Sequence, residues 1–305
     1  MTDTSSREGA LRLADWGVIR ASGEDARSFL HGQLTQDMSH LAPGEARLAG
    51  YCSAKGRLLA SFVVWARGPA EVLLACSADL LPATLKRLSM FVLRAKCKLS
   101  DASAEVPLYG LAGAAASNAL GTAVPARPWA QVSREGADLI RLTDAAGSAR
   151  FLWAGTGVPA LPPLDADHWR WLEVQSAVPR IVAATAEQFV PQMVNLELVG
   201  GVNFQKGCYP GQEIVARSQY RGTLKRRAFL FDSDAAAAPG QEIFAAADPE
   251  QPAGVVAAAA PGPDGRFAVL AETKIAFAGE PLHLGSAGGA RLQPRPLPYA
   301  LPAEA

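Results

Sequence analysis

The text of this chain changes character once, near Arg226, and that change limits what it can fold into. Before it, residues 11–19, 46–52, 58–67 and 71–76 read as strands, and residues 78–93 and 164–177 read as helices. After it only short strand-like pieces remain, at 228–231, 242–244, 254–257, 267–270, 274–277 and 281–284, cut apart by Pro, Gly and Asp. Short runs with that punctuation suit a small β-barrel or sandwich. The expected architecture is α+β over residues 1–225, with 100–160 a distinct part of it, followed by a β-barrel over 226–305. At 305 residues the chain is long enough for two or three cores.

Local signals add detail. Ser22-Gly23-Glu24-Asp25 has the form of a helix capping box, and Phe29, Leu30, Leu34 and Met38 then recur at helical spacing to about Leu41. Ala54-Lys55-Gly56 reads as a hairpin turn between two strands. Residues 106–153 read as short strands and turns, including the proline-rich 124–128. Residues 189–222 are polar and irregular, and a compact domain rarely keeps so long an irregular stretch without a use for it.

Composition excludes several classes. With 49% hydrophobic and 19% charged residues, the chain is globular rather than disordered. Lys plus Arg and Asp plus Glu number 29 each, so net charge favours neither a nucleic-acid coat nor a membrane surface. No run of apolar residues is long enough to span a membrane, and residues 1–10 lack the apolar core of a signal peptide. Cys52, Cys76, Cys97 and Cys208 form no CxxC pair, and the four His are scattered, so no metal site built by this chain alone is expected. The simplest reading is a cytoplasmic protein.

The densest cluster of special residues is Lys206-Gly207-Cys208-Tyr209-Pro210-Gly211-Gln212-Glu213. Its thiol lies two residues after a cation and five before a carboxylate. A nearby Lys stabilises thiolate, and glycines let other groups approach the sulfur. The plainer alternative is a tight turn carrying a small buried residue.

This octapeptide, with Ile214-Val215-Ala216-Arg217 and Tyr220-Arg221-Gly222 after it, resembles the signature of YgfZ proteins, folate-binding relatives of the glycine-cleavage T-protein (aminomethyltransferase). The resemblance is collinear over about residues 11–300. It takes in Gly32-Gln33-Leu34-Thr35-Gln36-Asp37, Ala54-Lys55-Gly56, Gln188-Phe189-Val190-Pro191-Gln192, Asn195-Leu196-Glu197 and Pro296-Leu297-Pro298-Tyr299. It implies a T-protein-like fold, in which two interlocked α+β subdomains and a C-terminal β-barrel surround a central opening. It also implies tetrahydrofolate, or a derivative, as the bound small molecule. The implied role is in assembly or repair of iron–sulfur proteins and, through them, in tRNA modification.

By the same resemblance, Trp16 and Trp169 are expected as walls of the folate pocket, while Trp171 is left to packing. Family members often carry a Glu where this chain has Gln175. An amide still donates and accepts, but it forms no charge-assisted pair with the pterin donors. That loss is worth about 1–3 kcal/mol, so folate affinity is expected to be weaker here unless Glu173 compensates.

The resemblance also separates this chain from the transferase. The T-protein's paired acidic positions fall near Ala60 and Ser61, neither of which supplies a carboxylate. Aminomethyl transfer is therefore not expected. Cys208 is read as a reactive thiol, assisted by Lys206, with Glu213 orienting the loop or pairing with Arg217. One Cys does not hold a cluster alone, so transient handling with an iron–sulfur protein or assembly partner is expected. A folate-binding module with a structural cysteine and a folate-dependent one-carbon transferase are the other readings. Arg217, Arg221, Lys225, Arg226 and Arg227 form a basic run, read as a solvated strand entrance or a site for the folate tail; direct nucleic-acid contact is not expected.

Overall fold

The computed structural model describes residues 7–121, 124–134, 136–220 and 224–302. Arg221 and Gly222 of the expected signature lie outside the described residues.

Strand β4 (Leu58–Ala66) explains the layering. It is buried almost throughout, because side chains alternate across a strand and both faces are covered. Leu58, Ala60, Phe62 and Val64 enter one core, and Val63 and Trp65 enter another. The neighbouring β5 (Glu71–Ser77) divides the same way, with Val72, Leu74 and Cys76 on one side and Leu73 and Ala75 on the other. These strands lie in a five-stranded sheet ordered β3-β4-β5-β2-β6, where β2 is Trp16–Ser22, β3 Ala46–Cys52 and β6 Lys98–Asp101. Helices α1 (Ala26–His31) and α2 (Leu81–Ser89) share the first core.

A second sheet, ordered β1-β7-β10-β9-β8, closes the other face. It uses β1 (Gly9–Arg12), β7 (Leu108–Ala112), β8 (Gln131–Arg134), β9 (Ala137–Arg141) and β10 (Arg150–Gly155), with α3 (Gly113–Leu120) between β7 and β8. Because β1 pairs in this sheet while β2 pairs in the first, the subdomains interlock at their first two strands. The chain then runs through α4 (Ala166–Gln175) and α5 (Gln212–Tyr220) into β11 (Arg226–Ser233), β12 (Glu242–Ala245), β13 (Asp248–Pro261), β14 (Phe267–Lys274), β15 (Leu282–Leu284) and β16 (Arg291–Arg295), which close into a six-stranded barrel in the order β11-β14-β13-β12-β15-β16. Helix α4 packs on β13 and β14 of that barrel.

The expected α+β class with a terminal barrel is the observed one. The local differences have local causes. The capping box at Ser22 does not form, because Ser22 is the last residue of β2. Asp25 stands at the helix N-cap instead, and its carboxylate accepts from Lys96 N at 2.7 Å. The helical spacing beyond His31 is not realised. Thr35 Oγ1 donates to Gly201 O (2.6 Å) and accepts from Gly50 N (2.7 Å), which draws the chain out of the helix. Of the strand expected at 274–277, only Lys274 is in a strand, as the end of β14 (Phe267–Lys274), and Ile275–Phe277 turn as a short 3-10 segment. Helices α3 and α5 were not expected. The amide of Ala115 at the start of α3 donates to Glu8, 107 residues away, a partner no local pattern reveals.

A cleft between the sheets and a thiol on the hairpin tip

The two sheets do not close completely on each other. Between them lies a cleft of about 480 Å³, counting the space open to solvent at its mouth, walled by Trp16, Phe62 and Trp129 and bearing Arg150, Glu173 and Arg180. Trp16 starts β2, and Arg180 Cζ sits 4.9 Å from the centre of its ring. Trp129 has φ of 65°, a left-handed conformation that bulky residues adopt only under constraint. Hydrogen bonds on both sides supply it. Trp129 N donates to Arg141 O (2.8 Å) and its carbonyl accepts from Ala46 N (2.7 Å), so the residue is clamped between the sheets.

Charge in the cleft is concentrated at the end of α4 and the start of β10. Glu173 has 17% of its side chain exposed and lies 3.6 Å from Arg180, which also donates to Asp15 at 2.7 Å. Burial pushes the Glu173 carboxyl upward, against the pull of Arg180 and Arg150. Arg150 is only 4% exposed, and burial brings its guanidinium down to about 10. Ser61, at the position expected to have lost a carboxylate, also lines the cleft. Its hydroxyl accepts from Ile181 N at 2.9 Å, holding the segment that follows α4.

Of the four residues expected to contact a folate, the cleft brings together Trp16 and Glu173. Trp169 stands one layer behind the wall rather than in it. It is 2% exposed, packs on Gly110, and presents its ring to Arg150, whose Cζ is 4.8 Å from the ring centre. Gln175 is half-buried at the end of α4 and is not among the lining residues, so the amide there leaves the cleft's charge unchanged. Trp129 and Arg150 were missed by sequence reasoning. The only hint of Trp129 was its position directly after the proline-rich run.

Cys208 lies elsewhere on the same scaffold. Strands β3 and β4 contribute Leu48, Ser61 and Phe62 to the cleft, and the turn joining them packs against the cysteine loop. Five residues separate Ser61 from Gly56, which at the rise of an extended strand is at most about 17 Å. A Cβ on Gly211 would meet Ser53 O at 2.4 Å and Gly56 Cα at 2.6 Å, so this approach requires glycine. Cys208 is exposed, whereas Cys52 and Cys76 are buried and pushed up to about 12 by desolvation. The expected reactive residue is thus the accessible thiol, but it is not part of the cleft lining.

The expected helper roles are revised. Lys206 is 8% exposed, and its ammonium donates to the carbonyls of His31 and, at 2.8 Å, Leu34. It lies 4.7 Å from the centre of the Tyr209 ring. Burial lowers it to about 8, with Asp37 and Cys208 acting in the opposite direction. Lys206 is therefore first a strut that ties the loop to the end of α1. Glu213 is exposed in the first turn of α5 and makes no ion pair with Arg217 among the described residues. A group that sequence reasoning did not single out borders the loop. His31 Nδ1 pairs with Asp37 Oδ1 at 2.9 Å, and its Nε2 faces Gly207, where a Cβ would lie 3.5 Å away.

Two residues of the basic run are taken up by the fold. Arg226 pairs with Glu272, and Arg227 pairs with Glu197 in a buried contact. Arg217 and Lys225 line a shallow depression beside α5, while Arg221 lies outside the described residues. No helix among the described residues is long and apolar enough to cross a membrane.

This arrangement defines a scaffold of the aminomethyltransferase type. The aminomethyltransferase T of the Bartonella henselae glycine cleavage system superposes with a TM-score of 0.77 at 16% identity, covering 96% of this chain and 87% of its own. No profile of a known protein family matches the chain. Curated relatives narrow the class. The tRNA-modifying protein YgfZ of Edwardsiella ictaluri is 36% identical over an alignment of 244 positions, gaps included, which covers 75% of this chain and 72% of the relative. That of Klebsiella pneumoniae is 30% identical over an alignment of 309 positions, gaps included, which covers 95% of this chain and 93% of the relative. The chain belongs to the YgfZ family.

Proposed function

We propose that this protein binds tetrahydrofolate, or a derivative, in the cleft between the sheets and supports assembly or repair of iron–sulfur proteins. Cys208 serves as its reactive thiol. The observation that carries the folate reading is the cleft itself: flat aromatic walls beside a carboxylate and two guanidinium groups. A pterin needs such walls together with both donor and acceptor partners. Trp16 and Trp129 stack on the ring system, Glu173 accepts from its amino edge, and Trp169 braces Arg150 from behind.

The cluster or its sulfur is cargo in this reading. An accessible thiolate engages iron or sulfur during transfer, while the partner supplies the remaining ligands. Lys206 keeps the loop in place. The tRNA modification in the relatives' name is carried over as an indirect effect, through iron–sulfur enzymes that modify tRNA. The aminomethyltransferase alternative lacks a carboxylate at Ser61, and nothing in the cleft favours it over binding alone.

The test is Cys208→Ala in cells lacking the native protein. Activity of an iron–sulfur-dependent tRNA-modifying enzyme should fall to the level of the deletion, while tetrahydrofolate binding by the purified variant stays unchanged. Full activity of the variant removes the thiol from the account and leaves a folate-binding module.

A further inference from the structure

One charge in the cleft is left unanswered by its own walls. Arg150 opens β10 and is 96% buried, being only 4% exposed, yet its Nε has no hydrogen-bond partner. The carboxylates that act on it through charge, Glu173 and Asp144, are both engaged elsewhere. Glu173 lies 3.6 Å from Arg180, and Asp144 accepts from Arg141 at 2.5 Å. Among the described residues, no carboxylate is within ion-pair distance of Arg150. A buried guanidinium without a partner opposes folding, so its retention calls for an acceptor that the chain does not contain. The Trp169 ring, 4.8 Å from Cζ, limits how the fork can turn, and the guanidinium lines the cleft.

Glu173 and Arg150 lie on the same cleft, one an acceptor and the other a donor. Together they fit a ring edge that carries donors beside an acceptor. A pterin has this edge: the 2-amino group and N3–H donate, and the 4-oxo oxygen accepts. We propose that Arg150 recognises the 4-oxo oxygen while Glu173 takes the adjacent donors, making Arg150 the residue that selects 4-oxo over 4-amino pteridines. The proposal rests on the folate reading above. Bidentate donors suit such an oxygen, and a site built to hydrogen-bond one group rejects the analogue that lacks it.

The test compares tetrahydrofolate with 4-amino-4-deoxytetrahydrofolate, using the intact chain, Arg150→Met and Arg150→Lys. Calorimetric titration gives the affinities, and thermal unfolding confirms that each variant is folded. Arg150→Met should weaken the 4-oxo ligand at least about tenfold and leave the 4-amino ligand within about threefold. Arg150→Lys, which keeps the charge and loses the fork, should fall between. Equal weakening of both ligands overturns the proposal, because contact with the shared glutamate tail, or general damage to the cleft, acts on both alike. No effect on either ligand overturns it as well. In both cases the folate reading stands. Failure of the intact chain to bind either ligand removes that reading and this inference together.

Discussion

At the residue scale, the surroundings of Cys208 are set by its neighbours' hydrogen bonds. Burial opposes a charge on Asp37, but hydrogen bonds from the side chain and backbone of His40, and from His31, outweigh it and hold the carboxyl at about 2. The folded carboxyl therefore binds its proton less tightly than the unfolded one, whose reference value is 3.8. The resulting stabilisation is complete above about pH 4 and is lost as the pH falls toward 2. Asp37→Asn should cost about 2 kcal/mol in urea unfolding at pH 6 and markedly less at pH 3. A pH-independent difference contradicts this assignment. Accessibility makes a second prediction. Iodoacetamide should label Cys208 first and half-buried Cys97 more slowly, with Cys52 and Cys76 labelled only on unfolding. Mass mapping of a time course checks the order. The identity of the exposed thiol was legible because the glycines around it signalled a special turn. The roles of Lys206 and His31 were not, because both depend on the end of α1 meeting a loop about 175 residues away.

At the scale of elements, the β3–β4 hairpin links the two working parts of the molecule. Its strands help line the cleft and its turn carries the cysteine loop. Gly211 has φ of +76° and sits against the turn backbone, so Gly211→Ala combines a disfavoured conformation with a clash. It should lower stability by about 1–3 kcal/mol and change the Cys208 labelling rate, while folate affinity stays near that of the parent. A large loss of folate affinity contradicts the separation of loop and cleft. The hairpin was readable from Ala54-Lys55-Gly56 between two apolar runs. Helix α5 was not, because it presents only one fully buried residue, Val215, and the buried Gln192 side chain donates to Val215 O from another segment. The cleft was half readable. Trp16 and Glu173 were found from the resemblance, but which face of α4 turns inward depends on the sheets that pack on it.

At the scale of the whole molecule, the barrel is not an independent bead. Ala228, Leu230, Ala257, Ala260, Ala268 and Leu270 share a core with α1 and the first sheet. The junction also holds the Arg227–Glu197 pair, 6% and 4% exposed, and Asn195 Nδ2 donates to Ala228 O at 2.9 Å. Removing one partner leaves a buried charge uncompensated. Arg227→Met should cost about 3–5 kcal/mol in urea unfolding, and Glu197→Gln with Arg227→Met should recover part of that loss. A cost below about 1 kcal/mol, the range of exposed ion pairs, contradicts the buried junction. The change in text at Arg226 coincides with the first residue of β11, a strand of the barrel. It carried no sign of this junction, since Arg226 and Arg227 look like surface charges until Glu272 and Glu197 are placed against them. The most direct test of the central claim is titration of purified protein with tetrahydrofolate, comparing the intact chain with Trp16→Ala and Cys208→Ala. Saturable one-to-one binding, weakened at least about tenfold by Trp16→Ala and unchanged by Cys208→Ala, is the predicted result. Absence of saturable binding, or binding indifferent to Trp16→Ala, contradicts it.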